Sequence, residues 1–273
     1  MFYPQNLHTH GVLCDGKNEY EDTVLKAMES GLTSIGFSGH SSTTYSNPAY
    51  CMTGDKTLEY KREIIRLKEK YHGKIDIYCG LEFDMYSDDG LQGYDYVIGS
   101  VHYLKIDGKF VGFDRDAQTV KQVIDEYFDG DGMRYAKEYY RQYATLPNYG
   151  KFDIVGHFDL IAKHSDSVRF FDETAEEYKK YARECLYALA EKISVFEVNT
   201  GAIARGYRKT PYPSTFLLEE IRKAGCGVVL SSDCHDNCFL THGFEQAVAL
   251  CRECGFRELQ VFTKEGFKGI PLD

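Results

Sequence analysis

What most restricts the fold of this chain is an alternation of short apolar segments with amphipathic ones, sustained from residue 7 to residue 262. Strand-like runs end at 7–8 and cover 33–37, 75–81, 94–101, 152–155, 195–198 and 228–230. Helix-like runs cover 19–30, 58–71, 120–143 (one long helix or two), 174–192, 214–224 and 244–254. Short apolar strands separated by amphipathic helices predict parallel βα units. Seven strands are expected, with 259–262 as a candidate eighth. That count favours a closed α/β barrel over an open doubly wound sheet, which usually carries a glycine-rich turn after its first strand. Here that turn reads His8-Thr9-His10. The 273 residues suffice for one large domain with a sizeable core. No Gly/Ser-rich or Pro-rich linker divides them, so 1–273 reads as one domain.

Unusual polar residues collect where these strands end. His8 and His10 follow the first strand, with Asp15 close behind; His40 follows the second, Glu82 the third, His102 the fourth and His157 the fifth. Asn199 follows the sixth, and Asp233 and His235 the seventh. In a parallel barrel all C-terminal strand ends share one mouth, so these distant residues would meet there. Imidazole and carboxylate are ligands for Zn²⁺, Fe²⁺ and Mn²⁺. In H-x-H on extended backbone both imidazoles leave the same face, and a carboxylate such as Glu82 can bridge two ions. Any one such histidine is more often a hydrogen-bonded loop residue. Six of the nine histidines together with Asp15, Glu82 and Asp233 predict instead a cluster of hydrolytic metal ions.

The other histidines are read more plainly. His72 precedes Gly73 and suits a helix C-terminus. His164 is expected at the surface. His242 lies near the last βα loop, where it can touch substrate or serve as an ordinary surface residue. The nine cysteines are odd in number and scattered, which suits reduced thiols in a cytoplasmic protein. Cys251 and Cys254 form a lone C-x-x-C, more in keeping with burial as small apolar groups than with structural zinc. A formal net charge of −10 opposes nucleic acid and anionic membranes as partners. It permits a small phosphorylated substrate, because metal ions invert the local field in a cleft. No apolar run is long enough to cross a membrane, and no secretory signal is read at the N-terminus.

The ordered motifs Leu7-His8-Thr9-His10 with Asp15-Gly16, Gly39-His40-Ser41, Gly80-Leu81-Glu82, Gly99-Ser100-Val101-His102, Gly156-His157-Phe158-Asp159 and Ser232-Asp233-Cys234-His235 resemble the polymerase-and-histidinol-phosphatase (PHP) superfamily. The segments 94–102 and 197–200, with a long insertion after His102, look most like its histidinol-phosphate phosphatases. The resemblance implies a distorted, TIM-like (β/α)7 barrel and two or three divalent ions, zinc with iron or manganese as alternatives. In a trinuclear site His8, His10, Glu82 and Asp233 would hold one ion. Glu82, His102 and His157 would hold the second, and Asp15, His40 and His235 the third. Some members carry His where Asp15 stands, and Asp is a harder ligand. Cys234 replaces an alanine common in the family, as an inert or an oxidisable thiol.

The implied reaction is hydrolysis of a phosphate monoester, L-histidinol phosphate first, by a metal-activated hydroxide. The alternative is a related phosphoesterase acting on nucleotide or sugar phosphates. Asp233 or His235 is the expected proton donor. Arg205, with Arg208 and Lys209 as rivals, is the expected phosphate clamp, and Asn199 and His242 are further candidates for substrate contact. The insertion at about 103–150 is rich in Tyr and acids, including Asp114, Asp116, Asp125, Glu126, Asp129 and Asp131. It reads either as a lid over the site or as an outer helix with a solvated acidic face. Oligomeric state is left open.

Overall fold

Seven short strands run parallel around one axis in a computed structural model that describes residues 2–272. Met1 and Asp273, the ends of the expected 1–273 domain, lie outside the described residues. In chain order the strands are β1 (Gln5–Asn6), β2 (Ser34–Phe37), β3 (Asp76–Asp84), β4 (Tyr96–Ser100), β5 (Tyr103–Ile106), β6 (Lys109–Gly112), β7 (Ile154–Val155), β8 (Val195–Asn199), β9 (Gly227–Ser231), β10 (Glu258–Thr263) and β11 (Gly266–Pro271). The barrel order is β1-β2-β3-β4-β7-β8-β9, every pairing parallel. The seam between β9 and β1 is closed by chain just beyond the strands. His10 N donates to Cys234 O at 2.9 Å and Cys234 N to His8 O at 3.1 Å. Asn6 Nδ2 also reaches Ser232 Oγ at 2.7 Å. This is the expected seven-stranded α/β barrel.

Alternation of side chains across each strand divides the protein into an interior and an outer layer. Leu7, Tyr78, Tyr96, Ile98, Ile154, Val195 and Val229 form one apolar cluster inside the barrel. The opposite faces of the strands pack against the helices in a second, larger cluster. Along β3, Tyr78, Gly80, Glu82 and Asp84 share a face, so one strand runs from apolar interior to acidic mouth. Tyr96 fills the interior. A Cβ on Gly36 or Gly80 would come within 2.2 Å of its ring or hydroxyl, so both strands need glycine opposite it. Its hydroxyl donates to the carbonyl of Leu7.

The candidate eighth strand is not part of the barrel. Residues 259–262 fall in β10, which pairs antiparallel with β11. Phe262 and Phe267 of this hairpin pack on the interior cluster. Apolarity alone cannot separate a barrel strand from a plug, since both bury one face.

The insertion begins with an antiparallel hairpin, β5–β6. The expected 120–143 helix is two helices, Ala117–Phe128 and Gly132–Tyr143. Asp129 (φ 55°) and Gly130 (φ 78°) take the left-handed conformation that stops the first helix. Asp131 starts the second by accepting hydrogen bonds from the amides of Met133 and Arg134. Tyr143 ties this second helix to the barrel, its hydroxyl lying 3.1 Å from Gly99 O and 2.7 Å from Gly156 O. Among the described residues no helix is long and apolar enough to cross a membrane.

The tight fit at Tyr96 gives a test. Gly80→Ala should destabilise the protein by about 1–3 kcal/mol through overpacking, read as a lower denaturant midpoint. Unchanged stability would contradict a ring filling that space.

Candidate metal centre

Glu82 sits at the centre of the mouth, 1% exposed, because the alternation of β3 turns it inward. Four imidazole nitrogens surround its carboxylate: His40 Nδ1 at 2.8 Å, His157 Nε2 at 2.9 Å, His8 Nε2 at 3.1 Å and His102 Nε2 at 3.4 Å. Asp233 Oδ1 lies 3.3 Å from His10 Nε2 and 3.7 Å from His8 Nε2. Asp15 lies 3.2 Å from His235 Nε2 and 3.6 Å from both His10 Nδ1 and His40 Nε2. All nine expected ligands therefore meet in one basin.

Their grouping differs in detail from the division implied by the resemblance. Three sets present ligand atoms close enough for one ion: His8, His10 and Asp233; His40, Glu82 and His102; and His10, Asp15, His40 and His235. His10 and His40 each serve two sets, because an imidazole has nitrogens on two edges. His157 stands outside the three sets but remains in contact with Glu82.

The basin fits cations on its own chemistry. His8 Nε2, His10 Nε2, Asp15 Oδ1 and Glu82 Oε2 are buried and lack a hydrogen bond of good geometry. Buried polar atoms are ordinarily paired, so four orphans of ligand type in one basin call for something that coordinates them. Burial works against ionising Glu82, yet the charges of His8, His40 and His102 hold its carboxyl well below the usual range. Burial and the neighbouring His235 and His40 push His10 down to about 3. His10 is thus a neutral imidazole with a lone pair to give, the state a metal requires.

Two acidic residues that the motif reading passed over hold the ligands in place. Glu197, 1% exposed, accepts from His8 Nδ1 at 2.5 Å, from His157 N at 2.7 Å, from Asn199 Nδ2 at 3.0 Å and from Ser231 Oγ. The bond to His8 turns its Nε2 toward the basin. Asp84 accepts from His102 N at 3.1 Å and Tyr45 OH at 2.7 Å, and faces His102 Nδ1 at 3.3 Å. Their spacing was the available signal, since Glu82-x-Asp84 and Glu197-x-Asn199 each put two polar side chains on one strand face.

Arg205 points into the same mouth. Its Nη2 donates to Asp233 Oδ2 at 2.9 Å and its Nη1 to Asp233 O at 3.1 Å. Gly201 makes room, because a Cβ there would stand 2.7 Å from Arg205 Nη2. Its rivals lie elsewhere: Arg208 is buried against Ala162 O at 3.1 Å, and the Lys209 amide donates to Asp166.

The expectation for His164 fails, while His242 takes the surface role that the sequence also allowed. Asn199 is fully buried and spends its amide on Glu197 and on Gly201 N, which makes it a support of the floor of the site. His242 is exposed in a groove with Phe2, Tyr3, Ile203 and Phe244, and none of the candidate ligands lines that groove. His164, expected at the surface, is buried against Tyr207 at 5.2 Å between ring centroids. For His164 and His242 the deciding neighbours are remote in sequence, whereas those of Asn199 are two positions away.

Eight of the nine free thiols are buried and Cys238 is exposed. Burial pushes Cys234 up to about 12, and its Sγ donates to Asp236 O at 2.9 Å. Cys251 and Cys254 are likewise buried and free.

A cavity of about 420 Å³ opens beside the basin. Asp15, His40, Asp84 and His102 form one wall; Tyr103, Asp114 and Arg115 of the insertion form another. Of the insertion's acids named above, Asp114 alone lines this cavity. Asp116 and Asp131 cap helices, while Asp125 and Asp129 pair with Lys121 and Arg134. The insertion is thus a wall of the site at its hairpin and an ordinary outer layer at its helices.

A parallel barrel whose strand ends gather nine candidate ligands defines a multi-metal barrel protein. The chain belongs to the PHP domain family, whose description matches residues 6–201. It is similar to the histidinol-phosphatase of Bacillus subtilis, 26% identical with 89% of this chain and 98% of that one covered. It is also similar to a protein of Deinococcus radiodurans named "probable histidinol-phosphatase", 28% identical over 92% of this chain and 93% of that one. The crystal structure of histidinol phosphate phosphatase from Lactococcus lactis, complexed with zinc, L-histidinol and phosphate, shares the fold. Its TM-score is 0.74 at 23% identity, covering 97% of this chain and 98% of that one.

The four donors converging on Glu197 make it a sharp probe. Glu197→Gln replaces one acceptor oxygen by an NH₂ aimed at donors. Metal affinity should fall about 10–100-fold in competition with a chromogenic chelator. Wild-type affinity in that variant would remove Glu197 from any positioning role.

Proposed function

We propose that this chain is a metal-dependent phosphoric monoester hydrolase that converts L-histidinol phosphate to L-histidinol and phosphate, a step of histidine biosynthesis. The observation that carries the reading is the basin of orphaned ligand atoms around Glu82, beside a cavity with acidic walls. The relatives named for this activity align over nearly their whole length and support the choice of substrate. Residues 1–273 act as one domain in this reading, with 103–150 as its insertion. The cytoplasm is its proposed location, supported by nine free cysteines. Nucleic acid is not a partner in this reading, given the net charge of −10.

His8, His10, Asp15, His40, Glu82, His102, His157, Asp233 and His235 would hold two or three divalent ions, zinc foremost. Such ions, when bound, neutralise phosphate oxygens and acidify water. The protein's own groups do the rest. Arg205, already beside Asp233, presents a guanidinium to a phosphoryl oxygen. Burial opposes the charge on Asp233, but Arg205 and His8 hold it well below the usual carboxylate range, so it is ionised at neutral pH. In that state it accepts the proton of the attacking water and then returns it to the departing alkoxide. His235 keeps Nδ1 on Asp233 O at 2.9 Å and Nε2 toward Asp15, which suits a ligand better than an acid. Asp114 across the cavity gives a cationic leaving group, ammonium and imidazole, a counter-charge.

Phosphate release from L-histidinol phosphate should exceed that from nucleotide and sugar monophosphates under equal conditions. A preference for the latter would reassign the substrate within the family. Asp233→Asn should lower kcat about 10²–10⁴-fold. Dialysis against a chelator should abolish turnover, and zinc or manganese should restore it. Activity that survives both treatments would overturn the proposed site.

A further inference from the structure

We infer that Tyr45 is a positioning residue of this site: through Asp84 its hydroxyl orients His102, so that the loop carrying Tyr45 and an ion held by His40, Glu82 and His102 stabilise one another. The inference rests on the metal-centre reading and adds to it a residue that no ligand motif contains.

The loop between β2 and the helix Gly54–Lys70 leaves from the ligand set and returns to it. His40 stands at its root, bridged to Glu82 of β3. Ser41 N donates to Glu82 O at 2.9 Å, and Met52 N donates back to His40 O at 3.0 Å. Residues 41–51 therefore form a loop without helix or strand whose ends meet at one candidate ligand, a compact type often put to functional use. Thr43, Ser46, Tyr50 and Cys51 of this loop line the cavity beside the basin.

Tyr45 carries the loop across to another ligand of the same set. Its hydroxyl donates to Asp84 Oδ1 at 2.7 Å, and Tyr86 N shares that oxygen at 3.2 Å. The other oxygen, Oδ2, accepts from His102 N at 3.1 Å and faces His102 Nδ1 at 3.3 Å. A proton on Nδ1 leaves the lone pair on Nε2, the nitrogen 3.4 Å from Glu82 Oε1. One carboxylate thus joins the loop to the ring that must present a lone pair. Asp84 N also donates to Ser41 Oγ at 3.0 Å, a second bond between the loop and the same residue. Asp84 is 6% exposed, so water is poorly placed to replace the phenol as a donor.

Packing offers the rival account. The Tyr45 ring stacks on Phe110 at 4.1 Å and meets Tyr103 edge-on at 4.7 Å between centroids. Such a ring could brace the hairpin with no bearing on the metal. Phenylalanine keeps that packing and removes only the hydroxyl, so Tyr45→Phe separates the two accounts. Coupling is also reciprocal: if a seated loop strengthens metal binding, bound metal must hold the loop by the same factor.

The test compares Tyr45→Phe with wild type as full-length protein. Zinc is titrated into both against a chromogenic chelator, and amide hydrogen exchange over 41–51 is followed with and without zinc. Thermal midpoints are taken on the metal-free proteins. The expected result is one ion bound about three- to tenfold more weakly in the variant, a smaller loss than that of a group touching the ligand itself, with an unchanged metal-free midpoint. Zinc should slow exchange over 41–51 in wild type, and slow it less in the variant. Wild-type zinc affinity in Tyr45→Phe would overturn the inference. So would a loss matched by a lower metal-free midpoint, which would make the hydroxyl a general brace, and so would zinc protection of the loop that the substitution leaves intact. None of these readouts needs a substrate, so they decide the matter even if wild type hydrolyses no monoester. A wild type that binds no zinc removes the metal centre, and the inference with it.

Discussion

The closure of the barrel seam is the constraint on which the rest depends. Parallel strands bring seven chain ends to one mouth, but only joining the first strand to the last puts residues 8–10 against 233–235. The bonds that do this, His10 N to Cys234 O and Cys234 N to His8 O, belong to the candidate ligand segments themselves. Closing the barrel and assembling the basin are one event. An open sheet of the same strands would leave His8 and Asp233, 3.7 Å apart here, at opposite edges.

Closure also creates an electrostatic problem that is resolved in layers. Glu82 would not stay ionised in so buried a place without the imidazoles packed around it. The imidazoles are in turn aimed by carboxylates one step further out, Glu197 for His8 and Asp84 for His102. Each is held by several donors at once, which fixes its position more tightly than one contact would. Charge alternates outward from the centre, acid to imidazole to acid. The arrangement still leaves four ligand atoms unpaired, and cations among them would complete it.

Tyrosine does much of the fastening that surrounds this basin. The chain has 22 tyrosines and no tryptophan. Tyr60 bonds Phe37 O and Gly80 O from a helix, Tyr143 bonds Gly99 O and Gly156 O from the insertion, and Tyr96 closes the interior. A phenol suits this work because its ring packs in the core while its hydroxyl reaches carbonyls at strand ends. The insertion is therefore anchored to the barrel by the same device that braces the strands, and its hairpin can line the cavity without hanging loose.

Much was legible in the sequence by itself: a parallel barrel of seven strands, and nine candidate ligands gathered at its mouth. Both follow from local regularities, the alternation of strand with helix and the fixed place of a strand's C-terminal end in such a barrel. Tertiary structure alone decided the remainder. Residues 259–262 and a barrel strand are equally apolar, and pairing with β11 settled which they were. His164, expected at the surface, became buried against Tyr207, and His242 kept to a surface groove beside Phe2. Glu197 and Asp84 became supports only through histidines 189 and 18 positions away. Periodicity records which face a side chain takes; what waits on that face is set by chain closure, which no local pattern records.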